Sequence, residues 1–143
     1  MNFQVNQIGE YTFLDEGQGE VVLMLHGLFG ALSNWEPTVQ ALGDRYRVIV
    51  PVLPIYEMSL LSASIDGLSK YVEGFVKTLK ISGFHLMGNS LGGHIALVFT
   101  VNNPEKVKSL ILTGSKDNLV KIWDPRTGGK GVHTIAAHNN TIS

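Results

Sequence analysis

The chain contains no cysteine. That excludes disulfides, a thiol nucleophile and any cysteine-based metal site. Charge of one sign is also lacking: 11 Lys and Arg stand against 12 Asp and Glu, for a net −1 at pH 7. Such a balance offers nothing to nucleic acid or to an anionic membrane surface. No apolar run approaches the roughly 20 residues that a bilayer-spanning helix needs. The segment from Met1 to Gln7 has no basic region followed by an apolar block, so it does not read as a signal peptide. There is no Walker-type phosphate loop, and no dinucleotide glycine fingerprint follows the first apolar strand. No histidine pair spaced four apart accompanies a carboxylate, and His133 and His138 are five apart. From these absences we expect no cofactor, no metal, no nucleic-acid or membrane partner, and a cytoplasmic location.

What is present is a core-forming chain of 143 residues with 44% apolar side chains, expected to be a single domain over 1–143. Its organising stretch is Phe84-His85-Leu86-Met87-Gly88-Asn89-Ser90-Leu91-Gly92-Gly93-His94. An apolar strand runs into Gly88-Asn89-Ser90-Leu91-Gly92 and a helix runs out of it, which is G-x-S-x-G in the strand–turn–helix setting that gives the motif meaning. Small residues are needed because strand and helix approach closely there, and the turn lifts Ser90 to the top of the sheet. The amide of Leu91 falls at the helix start, where unpaired N–H groups favour a negative oxygen. Ser90 is the candidate nucleophile, and Leu91 N–H the first candidate oxyanion donor.

Taken in order, Phe3, Val5 and Ile8, then Tyr11 to Leu14, predict two short strands joined at Gly9-Glu10. Val21 to Leu25 is a continuous apolar run, suited to a strand buried on both faces. His26-Gly27-Leu28 follows at its carboxyl end, where sites form in open α/β sheets. The Leu28 amide is therefore the candidate second oxyanion donor, and His26 reads as a turn residue bonded to backbone. Ser33-Asn34 offers a helix cap, with Trp35 to Leu42 helical and Gly43 the stop. Tyr46 to Val50 is a strand that Pro51 ends. Ile65, Leu68, Val72, Phe75, Val76 and Leu79 recur at helical spacing, and Gly83 closes that helix. The helix after Ser90 stops at Asn103-Pro104, and Val107 to Leu112 is the next strand.

Residues 1 to about 115 together resemble the amino-terminal half of an α/β-hydrolase. The likeness rests on the strand with His26-Gly27-Leu28, on Ser33-Asn34-Trp35, on Pro51 to Pro54, on Gly88 to Gly93, and on Asn103-Pro104-Glu105-Lys106-Val107 leading to Leu110-Ile111-Leu112. It implies acyl transfer by Ser90, with the amides of Leu91 and Leu28 holding the oxyanion. It also implies a triad whose acid and histidine follow the serine in the chain.

The remaining sequence departs from that pattern. Residues from about 109, and clearly from Gly114 through Trp123-Asp124 to His138, resemble a WD-repeat β-propeller blade, with strands expected near 119–124 and 131–137. The charge changes too: 1–115 carries seven basic and ten acidic residues, 116–143 four and two. A chimera of the two families spliced at a shared strand is the economical account, natural or engineered. The expected fold is α/β, a three-layer, mostly parallel hydrolase-like sheet with this tail as an antiparallel hairpin beside 108–113, covering an apolar edge. Exchange of the hairpin between chains would make a homodimer.

A neutral serine needs a base. His85 precedes the elbow and is expected to face away from Ser90. His94 lies one helical turn down, and His133 and His138 sit in a tail that has no evident reason to meet the serine. On these grounds the sequence favours a catalytically silent scaffold; the alternative is a serine esterase or thioesterase using Ser90.

Overall fold

The computed structural model describes residues 5–26, 36–54, 64–113, 119–123 and 133–136. Among the described residues, eight strands form one sheet: β1 Val5–Ile8, β2 Tyr11–Glu16, β3 Val21–Leu25, β4 Arg47–Pro51, β5 Phe84–Asn89, β6 Val107–Thr113, β7 Leu119–Trp123 and β8 His133–Ala136. Their order across the sheet is β1-β2-β4-β3-β5-β6-β7-β8. The centre, β4-β3-β5-β6, is parallel, and both flanks are antiparallel. The expected α/β class and the edge hairpin are both found.

The layering follows from strand periodicity. Along β3, Leu23 and Leu25 enter one core while Val22 and Met24 enter the other. Along β4, Ile49 joins the first core and Val48 and Val50 the second. A run apolar at every position thus feeds both faces of a parallel sheet. Helices α2 (Ile65–Leu79) and α3 (Leu91–Asn102) cover the first face; α1 (Glu36–Leu42) covers the second through buried Val39. Phe75, Phe84 and Phe99 are fully buried on the α2–α3 side, each contributing about 1.5–3 kcal/mol by burial.

Helix α2 begins where its pattern predicts, with the Ser64 hydroxyl accepting from Gly67 N–H at 3.0 Å. Its end differs from expectation. Lys80, at φ 57°, forms the left-handed cap and donates its N–H back to the last turn, so Gly83 does not close the helix. Pro51 also differs: it is the last residue of β4 and pairs with Phe13 on β2. At that terminal position its missing N–H costs little, and Val52 N–H donates to Thr12 O at 2.8 Å instead. The expected cap Ser33-Asn34 and Trp35 lie outside the described residues. No helix among the described residues is long and apolar enough to cross a membrane.

Candidate active site

Ser90 lies between β5 and α3 with φ 55° and ψ −117°, a backbone conformation that non-glycine residues rarely hold. The surroundings over-determine it. Ser90 N–H donates to Thr113 O at 3.0 Å, at the end of the neighbouring strand β6. Ser90 O accepts from Gly93 N–H at 2.9 Å and His94 N–H at 3.3 Å, closing the first turn of α3. One residue earlier, Asn89 Oδ1 accepts from the Thr113 hydroxyl at 3.1 Å. Two glycines make room: a Cβ on Gly88 would overlap Gly92 O, and one on Gly92 would overlap Leu25 O. The elbow read from the sequence is formed, and the Ser90 side chain is exposed at the carboxyl edge of the sheet.

Leu91 is the first residue of α3, so its N–H has no acceptor within the helix. It lies where the helix dipole places partial positive charge. This is the arrangement that stabilises a developing oxyanion. Leu28, the second donor proposed on sequence, lies outside the described residues.

The histidines separate clearly. His26 is buried, and its Nε2 accepts from Leu53 N–H at 2.9 Å. It pins the segment after β4 to the end of β3, in keeping with a structural role. His85 Nδ1 lies 2.7 Å from Ser109 Oγ on β6, at the far end of β5 from Ser90. His94 is exposed on α3. His133 opens β8, paired in register with Ile122, and His138 lies outside the described residues. Among the described residues, no imidazole or carboxylate is hydrogen-bonded to the Ser90 hydroxyl, and no group of three metal-ligating side chains occurs.

The tail hairpin brings a relationship that sequence reading missed. Because β7 is antiparallel to β6 and β8 antiparallel to β7, β8 runs in the direction of β5. Its carboxyl end, Ala136, pairs with Leu119 on the same sheet edge as Ser90. The antiparallel pairing expected beside 108–113 fixes these strand directions; which residues end the strands depends on a register that the sequence does not mark.

With this geometry in place, comparisons with known proteins converge. A family model described as alpha/beta hydrolase fold matches residues 20–129. A 2-hydroxy-6-oxononadienedioate/2-hydroxy-6-oxononatrienedioate hydrolase of Escherichia coli is 35% identical over 125 residues, which covers 79% of this chain and 42% of that protein. A 2-hydroxy-6-oxo-6-phenylhexa-2,4-dienoate hydrolase of Burkholderia cepacia is 37% identical, covering 78% of the chain and 42% of its own length. The chain thus spans less than half the length of these curated relatives. The crystal structure of an alpha/beta hydrolase enzyme from a sediment metagenome of the Mar Chica lagoon, Morocco, matches with TM-score 0.75 and 41% identity, over 80% of this chain and 52% of that one.

Proposed function

The chain belongs to the alpha/beta hydrolase fold family, and on that premise we propose that it is a serine hydrolase with Ser90 as its nucleophile. The observation that carries this is the backbone of Ser90, held at φ 55° on the strand–helix junction with the Leu91 amide beside it. Strain of this kind, about 1–3 kcal/mol, persists where surrounding structure imposes it and clusters at reactive residues. Relatives that are hydrolases support this reading over a silent scaffold.

In the proposed reaction, Ser90 Oγ attacks a carbonyl carbon as its proton passes to an imidazole. The Leu91 and Leu28 amides hold the resulting oxyanion, and collapse of the adduct expels the leaving group with that proton. Of the five histidines, His138 is the base to test first. It follows Ala136 by two residues, and Ala136 ends β8 on the Ser90 edge. Asp117 falls in sequence between Thr113 and Leu119, strand ends on that same edge. The chain order Ser90, Asp117, His138 is the family's order of nucleophile, acid and histidine. The substrate class we propose is small esters, thioesters and oxo acids of the kind named for the two curated relatives. Acetyl mapped to Ser90 by peptide mass spectrometry after treatment with p-nitrophenyl acetate supports the reading; Ser90 left unmodified contradicts it.

A second reading concerns origin. We propose that residues from about 109 to 143 are WD-repeat-like sequence joined to a hydrolase segment, with hairpin exchange as a route to a homodimer. Trp123-Asp124 with its flanks supports this, as does the reversal of strand direction after β6. The family match running to residue 129 weighs against it. If the tail is a graft, replacing 116–143 by another blade hairpin keeps a cooperative unfolding transition; loss of folding contradicts it. Light scattering decides the dimer.

A further inference from the structure

At the amino-terminal edge of the parallel strands, remote from Ser90, four polar side chains converge. His85 Nδ1 stands 2.7 Å from Ser109 Oγ. His85 Nε2 stands 3.8 Å from Glu20 Oε2, and Glu20 Oε1 accepts from Lys108 Nζ at 2.6 Å. A register irregularity builds the group: Phe84 pairs with Val107 but His85 pairs with Ser109, leaving Lys108 as the extra residue of a bulge. Regular pairing would set Lys108 opposite His85. The bulge sets the serine there instead, and bulges recur where a side chain is re-aimed for use.

The geometry points to Ser109 as a second acyl-accepting serine, with His85 as its base and Glu20 as the group that orients the base. It is independent of the Ser90 site: Ser90 is five residue steps on from His85 along β5, about 16 Å at strand rise. The Glu20 carboxylate, itself held below its ordinary range by the Lys108 hydrogen bond, favours the imidazole proton on Nε2. That leaves Nδ1 free to accept from the Ser109 hydroxyl, a nucleophile–base pair whose orienter acts by charge across 3.8 Å rather than by a hydrogen bond. His85 is 27% exposed by side chain and Glu20 54%, so a small acyl donor can reach the group. The Tyr46 ring stands edge-on to His85 at 6.3 Å, and Met87 is half-buried two residues along β5. These offer an apolar surface to the aryl part of an activated ester.

In the step, the Ser109 Oγ–acyl carbon bond forms and the bond from that carbon to the aryl oxygen breaks. The hydroxyl proton passes to His85 Nδ1 and then to the departing phenolate, which leaves as the phenol. Ser109 lies within β6, where no helix starts, so no helix-start amide serves it. One acylation without turnover is therefore expected.

The experiment treats the full chain carrying Ser90→Ala with p-nitrophenyl acetate and maps the adduct by peptide mass spectrometry. The expected result is acetyl on Ser109, formed about a hundredfold more slowly after His85→Gln. Glu20→Gln, at a half-exposed position that does not endanger the fold, is expected to slow it several-fold. Ser109 left unmodified, or acetylated at an unchanged rate in the Glu20→Gln protein, overturns the inference.

Discussion

Gly92, in the first turn of α3, approaches the end of β3 so closely that a Cβ on it would overlap the carbonyl oxygen of Leu25 and stand 2.6 Å from that of His26. Both obstacles are backbone, which cannot swing aside. Gly92→Ala is therefore expected to cost about 2–4 kcal/mol, through overpacking at a site with nowhere to relax. Gly93 is different: its nearest atom would be Gly88 O at 3.4 Å, an ordinary contact. Gly93→Ala is expected to stay within about 1 kcal/mol of the parent. Urea unfolding of both variants checks this; equal losses would contradict it.

Ser90 holds its positive φ at a cost of about 1–3 kcal/mol. Glycine adopts that conformation freely, while its extra chain entropy costs roughly 0.5–1 kcal/mol. The strain is the larger quantity, so Ser90→Gly is expected to gain about 1 kcal/mol of stability while losing the nucleophile. A Ser90→Gly protein less stable than the parent would show that the elbow is not strained.

Asn103 closes α3 from a buried position. Its Nδ2 donates to Glu73 Oε1 at 2.8 Å and to Phe99 O at 3.1 Å, tying α3 to α2. Asn103→Ala leaves Phe99 O its bond from the residue-103 backbone N–H at 2.8 Å but removes the partner of Glu73, and is expected to cost about 1–2 kcal/mol. Asn103→Asp sets a second carboxylate against Glu73, so its loss of stability should shrink as pH falls. Chemical denaturation at two pH values measures both effects, and an Asn103→Asp loss independent of pH would contradict the pairing.

Glu20 supplies the pH prediction. The hydrogen bond from Lys108, then that cation's attraction, and more weakly His85, hold its carboxyl below the ordinary value of 4.5. A folded-state value below the unfolded one means the stabilisation is present above pH 4.5 and fades as pH falls through the lowered value. Glu20→Gln is therefore expected to flatten this part of the acid limb, and about 1 M salt to mute the difference, since the pair is solvent-exposed. Melting temperatures between about pH 5 and pH 3 test it; parallel curves would remove Glu20 from the account.

How much of this was legible in the sequence follows from range. Gly88, Ser90 and Gly92 specify the elbow within five residues, so it could be read directly. The doubly buried strand β3 declared itself by having no polar position. The hairpin's place beside β6 follows from the apolar strand edge that it covers. What escaped was long-range or without a local mark. The His26–Leu53 and Asn89–Thr113 hydrogen bonds join segments at least 24 residues apart. The bulge at Lys108 lies in a run that scans as an ordinary strand. Lys80 caps α2 in a conformation that sequence assigns to glycine.

A fluorophosphonate probe distinguishes Ser90 as an activated nucleophile from an ordinary serine, because it labels the first and spares the second. Stoichiometric labelling of Ser90 is expected in the folded protein, lost in Ser90→Ala and on unfolding, and strongly slowed in His138→Ala. Ser90 left unlabelled in folded protein would contradict it.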